Sequence, residues 1–241
     1  MIRSWPPDAD VPALDPGAAH VWSVGLDGPP ELTVLSDSER ARAQRFATAT
    51  LTRRWSRARS GLRRVLAAYA GAEPEALAIE PAACVHCGEL HGKPYLADPP
   101  DDSLRFNLSH SGDLAVVAVA RDREVGVDVE ATRAGRRMEG IAGRWFNADE
   151  AAALEALGGA EQEALFYRLW ARKEAYLKAT AEGIVGSLAS FDALRLEPPG
   201  GADGWEFADL DVGDGYAGAL ALAPLGFVPA TGPAGGERRS R

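Results

Sequence analysis

Several absences narrow the chain before any motif is read. No apolar run reaches the length of a membrane span, and the N-terminal MIRSWPPDADVPALDPG has no apolar signal core. A cytoplasmic protein without membrane attachment is the expectation. Cysteine is almost missing: Cys84 and Cys87 are the whole supply, as one C-x-x-C beside His86 and His91, with no second half-site. One short loop then offers three or four ligands; a zinc-stapled turn stays open, and a reduced pair in a loop is the simpler reading. The pattern expected around a thioredoxin-like pair is lacking. Acid is missing locally: nine arginines and no Asp or Glu stand between Arg40 and Arg64, inside a chain of net charge −9. That run is either a solvated helix face or a field for a specific anionic ligand. A general nucleic-acid binder needs a basic balance and aromatics interleaved on the basic surface, whereas this chain is acidic and Trp55 reads as core.

What is present is ordinary for a globular protein, with 46% hydrophobic and 25% charged residues over 241 positions, enough for one large domain or two small ones. His20–Asp27 alternates as a strand. Ser36-Asp-Ser-Glu39 has capping-box spacing and opens a helix to about Phe46; a stronger helix spans Leu51–Tyr69 and stops at Gly71. A loop with the cysteines leads to His91-Gly-Lys-Pro94. Leu104–Ser111 and Leu114–Ala120 form a hairpin around Gly112-Asp113, and Glu124–Glu130 is a further strand. A second unit repeats the order, with helices from the Asn147–Glu150 capping box and over Ala160–Ala181. Strands over Ser190–Glu197, Gly204–Leu210 and Tyr216–Ala223 complete it. The fold class is α+β in two units, 1–123 and 124–228, followed by a disordered tail at 229–241. The matching order predicts pseudo-duplication, each half a small antiparallel sheet with packed helices, although no residue-level repeat exists.

Two carboxylate clusters carry the chemistry. On a strand Asp128 and Glu130 share one face while Val127 and Val129 point inward. As a bare pattern that is a half-solvated edge, or a pair held apart by a cation. On the later helix Trp170, Glu174 and Lys178 share a face, and alone they read as a surface Glu–Lys pair. Taken together, three carboxylates without Cys or His suit a hard cation such as Mg²⁺. Asn107-Leu-Ser-His-Ser111 ends a strand with a histidine and two hydroxyls where an anion can be held, although His110 alone reads as a solvated hairpin residue. Lys93 sits on a constrained turn. A divalent metal among cations is a site for phosphoryl transfer.

Asn107-x-Ser-His-Ser111, Gly126-x-Asp-x-Glu130 and Trp170-x-x-Lys-Glu-Ala-x-x-Lys178, with Gly92-Lys-Pro94 ahead of them, resemble the 4'-phosphopantetheinyl transferases of the surfactin type over about Leu35–Phe191. The length is similar to the two-unit monomeric class rather than the short trimeric holo-ACP synthases. The resemblance implies an Mg²⁺-dependent enzyme that moves the phosphopantetheine arm of coenzyme A to a serine of an apo acyl or peptidyl carrier protein, releasing adenosine 3',5'-bisphosphate. Asp128, Glu130 and Glu174 match the metal ligands. Lys178 and His110 match residues on the pyrophosphate, with Ser109 beside them. Lys93 matches a lysine near the nucleotide, and Arg54 a base on the 3'-phosphate, with Arg59 and Arg42 behind it. Glu150 matches an acid treated as catalytic, beside its capping-box reading. The implied chemistry is direct attack of the carrier serine on the β-phosphorus, with Glu174, Glu150 or a water as base. After Lys178 the chain departs from the family at Ala181-Glu182-Gly183 and Ile184-Val-Gly186, in the loop rather than the metal set. The rival readings are a non-catalytic CoA or nucleotide module, which would be expected to lack a carboxylate, and the nucleic-acid binder.

Overall fold

Local signals set the helices where expected. In the computed structural model, which describes residues 2–6, 10–99, 101–133, 145–183, 188–198 and 203–229, Ser36 and Glu39 close a reciprocal capping box that opens α1 (Asp37–Ala43). Thr48 caps α2 (Ala49–Ala70), and Gly71 ends it at φ +62°. Asn147 and Glu150 cap α3 (Ala148–Glu155), and α4 runs over Gly159–Thr180.

Among the described residues nine strands accompany them: β1 (Ile2–Ser4), β2 (Ala19–Gly25), β3 (Ala78–Ala83), β4 (Leu90–Ala97), β5 (Leu104–Ser111), β6 (Leu114–Arg121), β7 (Val125–Ala131), β8 (Glu206–Leu210) and β9 (Tyr216–Leu222). The first sheet has order β1-β2-β6-β5, the second β7-β9-β8, and β3-β4 is a separate two-stranded ribbon. The predicted hairpin is β5–β6, whose register pairs Ser111 with Leu114 and leaves Gly112-Asp113 as its loop.

The layers follow from side-chain alternation. Ala58, Leu62, Val65 and Leu66 of α2 pack with Trp22, Val24, Val117 and Val119 on one face of the first sheet. The opposite face, with Val21, Val116, Ala118 and Ala120, meets Val125, Val127 and Val129 of β7. The far side of the second sheet, through Ala219 and Ala221, lies under α4. The order is helix, sheet, sheet, helix, and β7 stands at its centre.

The mixed α+β class holds, with differences from the expectation. The first sheet is not purely antiparallel, because β1 pairs parallel to β2. Nor does the strand order repeat between the halves: four strands and a ribbon face three strands. The cysteine loop is the tip of the β3–β4 ribbon. Ser190–Glu197 is not a strand: Asp192 accepts from the amides of Leu194 and Arg195, and Leu196 takes φ +59°. Those local bonds turn the chain, leaving one bridge between Asp192 and Glu197. Apart from Pro229, the expected tail at 229–241 lies outside the described residues, as does Ile184-Val-Gly186. Among the described residues no helix is long and apolar enough to cross a membrane.

Candidate active site

The first and second sheets meet along β5 and β7, edge strands stitched by side chains. Alternate residues of β5 do the work: Asn107 Oδ1 accepts from Val127 N, Ser109 Oγ donates to Asp128 Oδ1 at 2.8 Å, and Ser111 Oγ accepts from Ala131 N and donates to Glu130. This seam explains the Asn-x-Ser-x-Ser spacing, since period two puts all three toward β7. It also sends His110 to the other side, into a groove of about 510 Å³ with Arg42, Trp55, Arg59, Gly92 and Pro94. The histidine and the two hydroxyls therefore do not share one anion pocket.

Helix α4 crosses β7 closely enough that only glycine fits at 126. A Cβ there would lie 1.9 Å from Ala175 O and 2.5 Å from Ala179 N. This approach brings the Trp170–Glu174–Lys178 face onto Asp128 and Glu130. Lys178 Nζ donates to Asp128 Oδ1 at 2.6 Å and to Ser109 Oγ at 2.9 Å. Lys178 thus pairs with Asp128 and not with Glu174 one turn before it. Asp128 Oδ2 and Glu174 Oε1 are buried without a hydrogen-bond partner.

The electrostatics reflect three acids sharing one ammonium. Burial pushes the Glu174 carboxyl up to about 7; Lys178 opposes the rise, and Asp128 and Glu130 add to it. Burial and Asp128 raise Glu130, against the Ser111 hydroxyl, Lys178 and the Trp170 indole. The ligand oxygens of the acids do not all close to within 4.8 Å; among the described residues only Cys84, Cys87 and His91 do so as a group of three. The His110 ring lines the groove, where loss of hydration and then the Lys178 ammonium hold its pKa below the ordinary value.

Other expected site residues have internal partners. Lys93 Nζ donates to Glu124 Oε2 at 2.7 Å and Val125 O at 2.9 Å, and burial lowers its pKa even beside that acid. Its ammonium is committed to Glu124 and the start of β7. Arg54 pairs with Asp113 at 2.5 Å. Arg59 and Arg63 grip Glu39; burial pushes that carboxyl up, and Arg59, the Ser36 amide and Arg63 outweigh it, leaving it below its usual range. Arg64 pairs with Glu31 and Arg40 with Asp37. Five of the nine arginines are therefore paired, with four acids that lie outside the run. Among the described residues Arg42 and Arg45 make no ion pair, and they line a hollow with Ser38 and Phe46 next to the groove. Arg42, a lesser candidate by sequence, is the better-placed anion ligand. Trp55 is no core residue: it is half-buried in the groove wall with the Arg42 and Arg59 guanidiniums 5.8 and 6.0 Å from its ring.

Glu150 sits where its capping-box spacing predicts. It is fully buried; Oε2 accepts from Asn147 N and pairs with Lys173 at 2.8 Å, and Oε1 accepts from Ala193 N at 2.7 Å. Both oxygens are engaged and the side chain is closed off from solvent. Burial lowers the Lys173 pKa although Glu150 opposes it. Glu150→Ala is expected to cost about 3–5 kcal/mol of stability, because it takes the counter-ion from a buried ammonium. The activity of the protein still folded should stay near wild type. Chemical denaturation with rates normalised to folded protein checks this; unchanged stability with lost turnover would restore the catalytic role.

The chain has relatives among known proteins. Residues 124–211, which hold β7, α3, α4 and β8, match the 4'-phosphopantetheinyl transferase superfamily. The chain is 34% identical over 241 aligned positions to the 4'-phosphopantetheinyl transferase HetI of Nostoc sp. (strain PCC 7120), covering 95% of this chain and 98% of that protein. It is 45% identical over 114 residues to psf-1 of Bacillus pumilus, 47% of this chain and 46% of that one. It is 37% identical over 110 residues to Sfp of Bacillus subtilis (strain 168), 46% of each. A relative matched along nearly its whole length, at that identity, settles the assignment: this chain belongs to the 4'-phosphopantetheinyl transferase family and is an enzyme of that kind.

Proposed function

We propose that the protein transfers the 4'-phosphopantetheine arm of coenzyme A to a serine hydroxyl of an apo acyl or peptidyl carrier protein, with Mg²⁺ held by Asp128, Glu130 and Glu174. The observation that carries this reading is the pair of buried, unpartnered oxygens, Asp128 Oδ2 and Glu174 Oε1, in a cleft where three carboxylates face one ammonium. The residual charge of two minus matches a divalent cation, and an all-oxygen donor set suits a hard one. When bound there, Mg²⁺ would neutralise the pyrophosphate and polarise the phosphorus under attack.

The chain's residues then divide the work. The bond formed is serine oxygen to β-phosphorus; the bond broken is β-phosphorus to bridging oxygen, and adenosine 3',5'-bisphosphate leaves. The serine proton goes to Glu174 or to a water in the cleft, Glu150 being engaged on both oxygens. Lys178, held between Asp128 and Ser109, places a positive charge beside the developing oxyanion. Arg42 and His110 line the groove where the nucleotide phosphates are to be held. In this reading residues 1–123 supply the groove and 124–228 the carboxylates and α4. A non-catalytic module is disfavoured because all three carboxylates are retained.

Incubation with coenzyme A, Mg²⁺ and a panel of apo carriers from fatty-acid, polyketide and peptide assembly tests this. Mass spectrometry should find one phosphopantetheine arm added to at least one carrier, with none added in the presence of EDTA. No mass gain on any carrier would overturn the proposal.

A further inference from the structure

The cysteine loop plays no part in the chemistry above, yet it has a definite architecture. β3 and β4 pair up to Ala83 and Leu90, so Cys84–Glu89 closes the ribbon as a six-residue loop. Cys84 N donates to Glu89 O and Gly88 N returns to Cys84 O, both at 2.8 Å, with Gly88 at φ +76°. The turn brings the backbone amides of His86 and Cys87 onto the Cys84 sulfur. Cys87 Sγ lies 3.0 Å from His91 Nε2, and the donor atoms of Cys84, Cys87 and His91 all lie within 4.8 Å of one another.

From this geometry we propose that Cys84, Cys87 and His91 bind Zn²⁺, with solvent in the fourth position, as a staple that fixes the ribbon against the active-site groove. Two thiolates and an imidazole select a borderline-soft ion and reject Mg²⁺, so this site and the carboxylate cleft do not compete for one metal. The ribbon has a use for such a staple. A two-stranded hairpin is marginal alone in water, and the tip of this one exposes Val85 and Leu90, the latter at 71%. The loop is too short and polar to supply a core of its own.

The staple sits between both halves of the enzyme. His91 lines the groove, and Gly92 and Pro94 continue its wall. Gly92 is packed so tightly that a Cβ would meet Ala82 O at 2.8 Å, so a shift of the tip carries into that wall. On the opposite side His86 Nε2 stands 2.8 Å from Glu182 O, just past the end of the helix bearing Glu174 and Lys178. Zinc at the tip therefore holds the β4 wall and the end of α4 at a fixed separation. The role is structural, since neither thiol is placed in the carboxylate cleft.

The test uses the full chain, reduced throughout and reconstituted with Zn²⁺ before gel filtration. Elemental analysis should find about one zinc per chain. Alkylation should show both thiols protected, and Co²⁺ in place of zinc should give thiolate charge-transfer and tetrahedral d–d bands. Cys87 and His91 are exposed, so Cys87→Ser and His91→Ala should keep their helical circular dichroism while zinc falls below about a tenth per chain. Asp128→Asn should keep its zinc, which separates this result from the fate of the transferase reading. Wild-type protein with less than about a tenth of a zinc and freely alkylated thiols would overturn the proposal. Full zinc content in the Cys87→Ser, His91→Ala double variant would do the same.

Discussion

Glu174→Gln is expected to lower phosphopantetheine transfer by on the order of 10²–10³-fold while making the metal-free protein more stable at pH 8. The two effects come from one carboxyl group. Burial raises its pKa from 4.5 to about 7 in the folded state. An acid whose folded pKa exceeds its unfolded value binds more protons folded than unfolded between those limits. Stability therefore falls as pH rises through that window and is fully lowered above about pH 7. The shift corresponds to roughly 3 kcal/mol, an upper figure, since relaxation and water entry soften the penalty. Glutamine keeps the shape and removes the charge, so the variant's stability should lack this contribution to the slope. Denaturant titrations from about pH 5 to about pH 8 check the sign. Mg²⁺ should stabilise the wild type most at the alkaline end, where the carboxylate is ionised, and stabilise the variant less. A variant with wild-type turnover, or with the same pH slope, would remove Glu174 from the metal and base roles.

That a functional carboxylate is costly to the empty fold could not be read from the sequence, although its position could. The alternation in Gly126–Glu130 separated valines from acids, and the structure keeps Val127 and Val129 buried between the sheets with Asp128 turned to α4. The one-turn spacing of Trp170, Glu174 and Lys178 likewise defined a face that does meet those acids. Strand and helix periods are local properties, so they survive folding. Partnership is not local. Nine arginines looked like a free basic field, because Asp113 and Glu31, which neutralise Arg54 and Arg64, lie 59 and 33 positions away. Lys173 and Glu174 are adjacent in sequence but meet different surroundings, one the Glu150 cap and the other the cleft.

The missed and misplaced elements have physical causes too. The β3–β4 ribbon contains Pro81, Gly92 and Pro94, which disrupt alternation, and its register shifts between Pro81 and Ala83. β1 has three residues and exists only through its pairing with β2. In Ser190–Glu197 the alternation was present, but a single aspartate side chain captured the backbone amides that a strand would have used.

Gly126→Ala should be the most damaging glycine-to-alanine change among the described residues, costing about 4 kcal/mol or more. The added carbon would stand 1.9 Å from one backbone atom of α4 and 2.5 Å from another. Flexible side chains can swing away from an intruding methyl, and such overpacking costs about 1–3 kcal/mol. Here the obstacles are a carbonyl oxygen and an amide nitrogen inside a helix of 22 residues, so α4 must move as a body. Trimming Ala175 to glycine cannot rescue the variant, since the blocking atoms are not in its side chain. Displacement also pulls Lys178 from Asp128 and Glu174 from the cleft, so transfer should be lost even at temperatures where folded protein persists. Gly158→Ala is the control: that residue, at the helix start with φ −141°, has open space where its Cβ would go, and the change should cost less than about 1 kcal/mol. Denaturant melts of both variants, with transfer measured on the folded fraction, decide the matter. Near-wild-type stability in Gly126→Ala would mean that the helix does not rest on β7, and the convergence of Asp128, Glu174 and Lys178 on one cleft would fall with that contact.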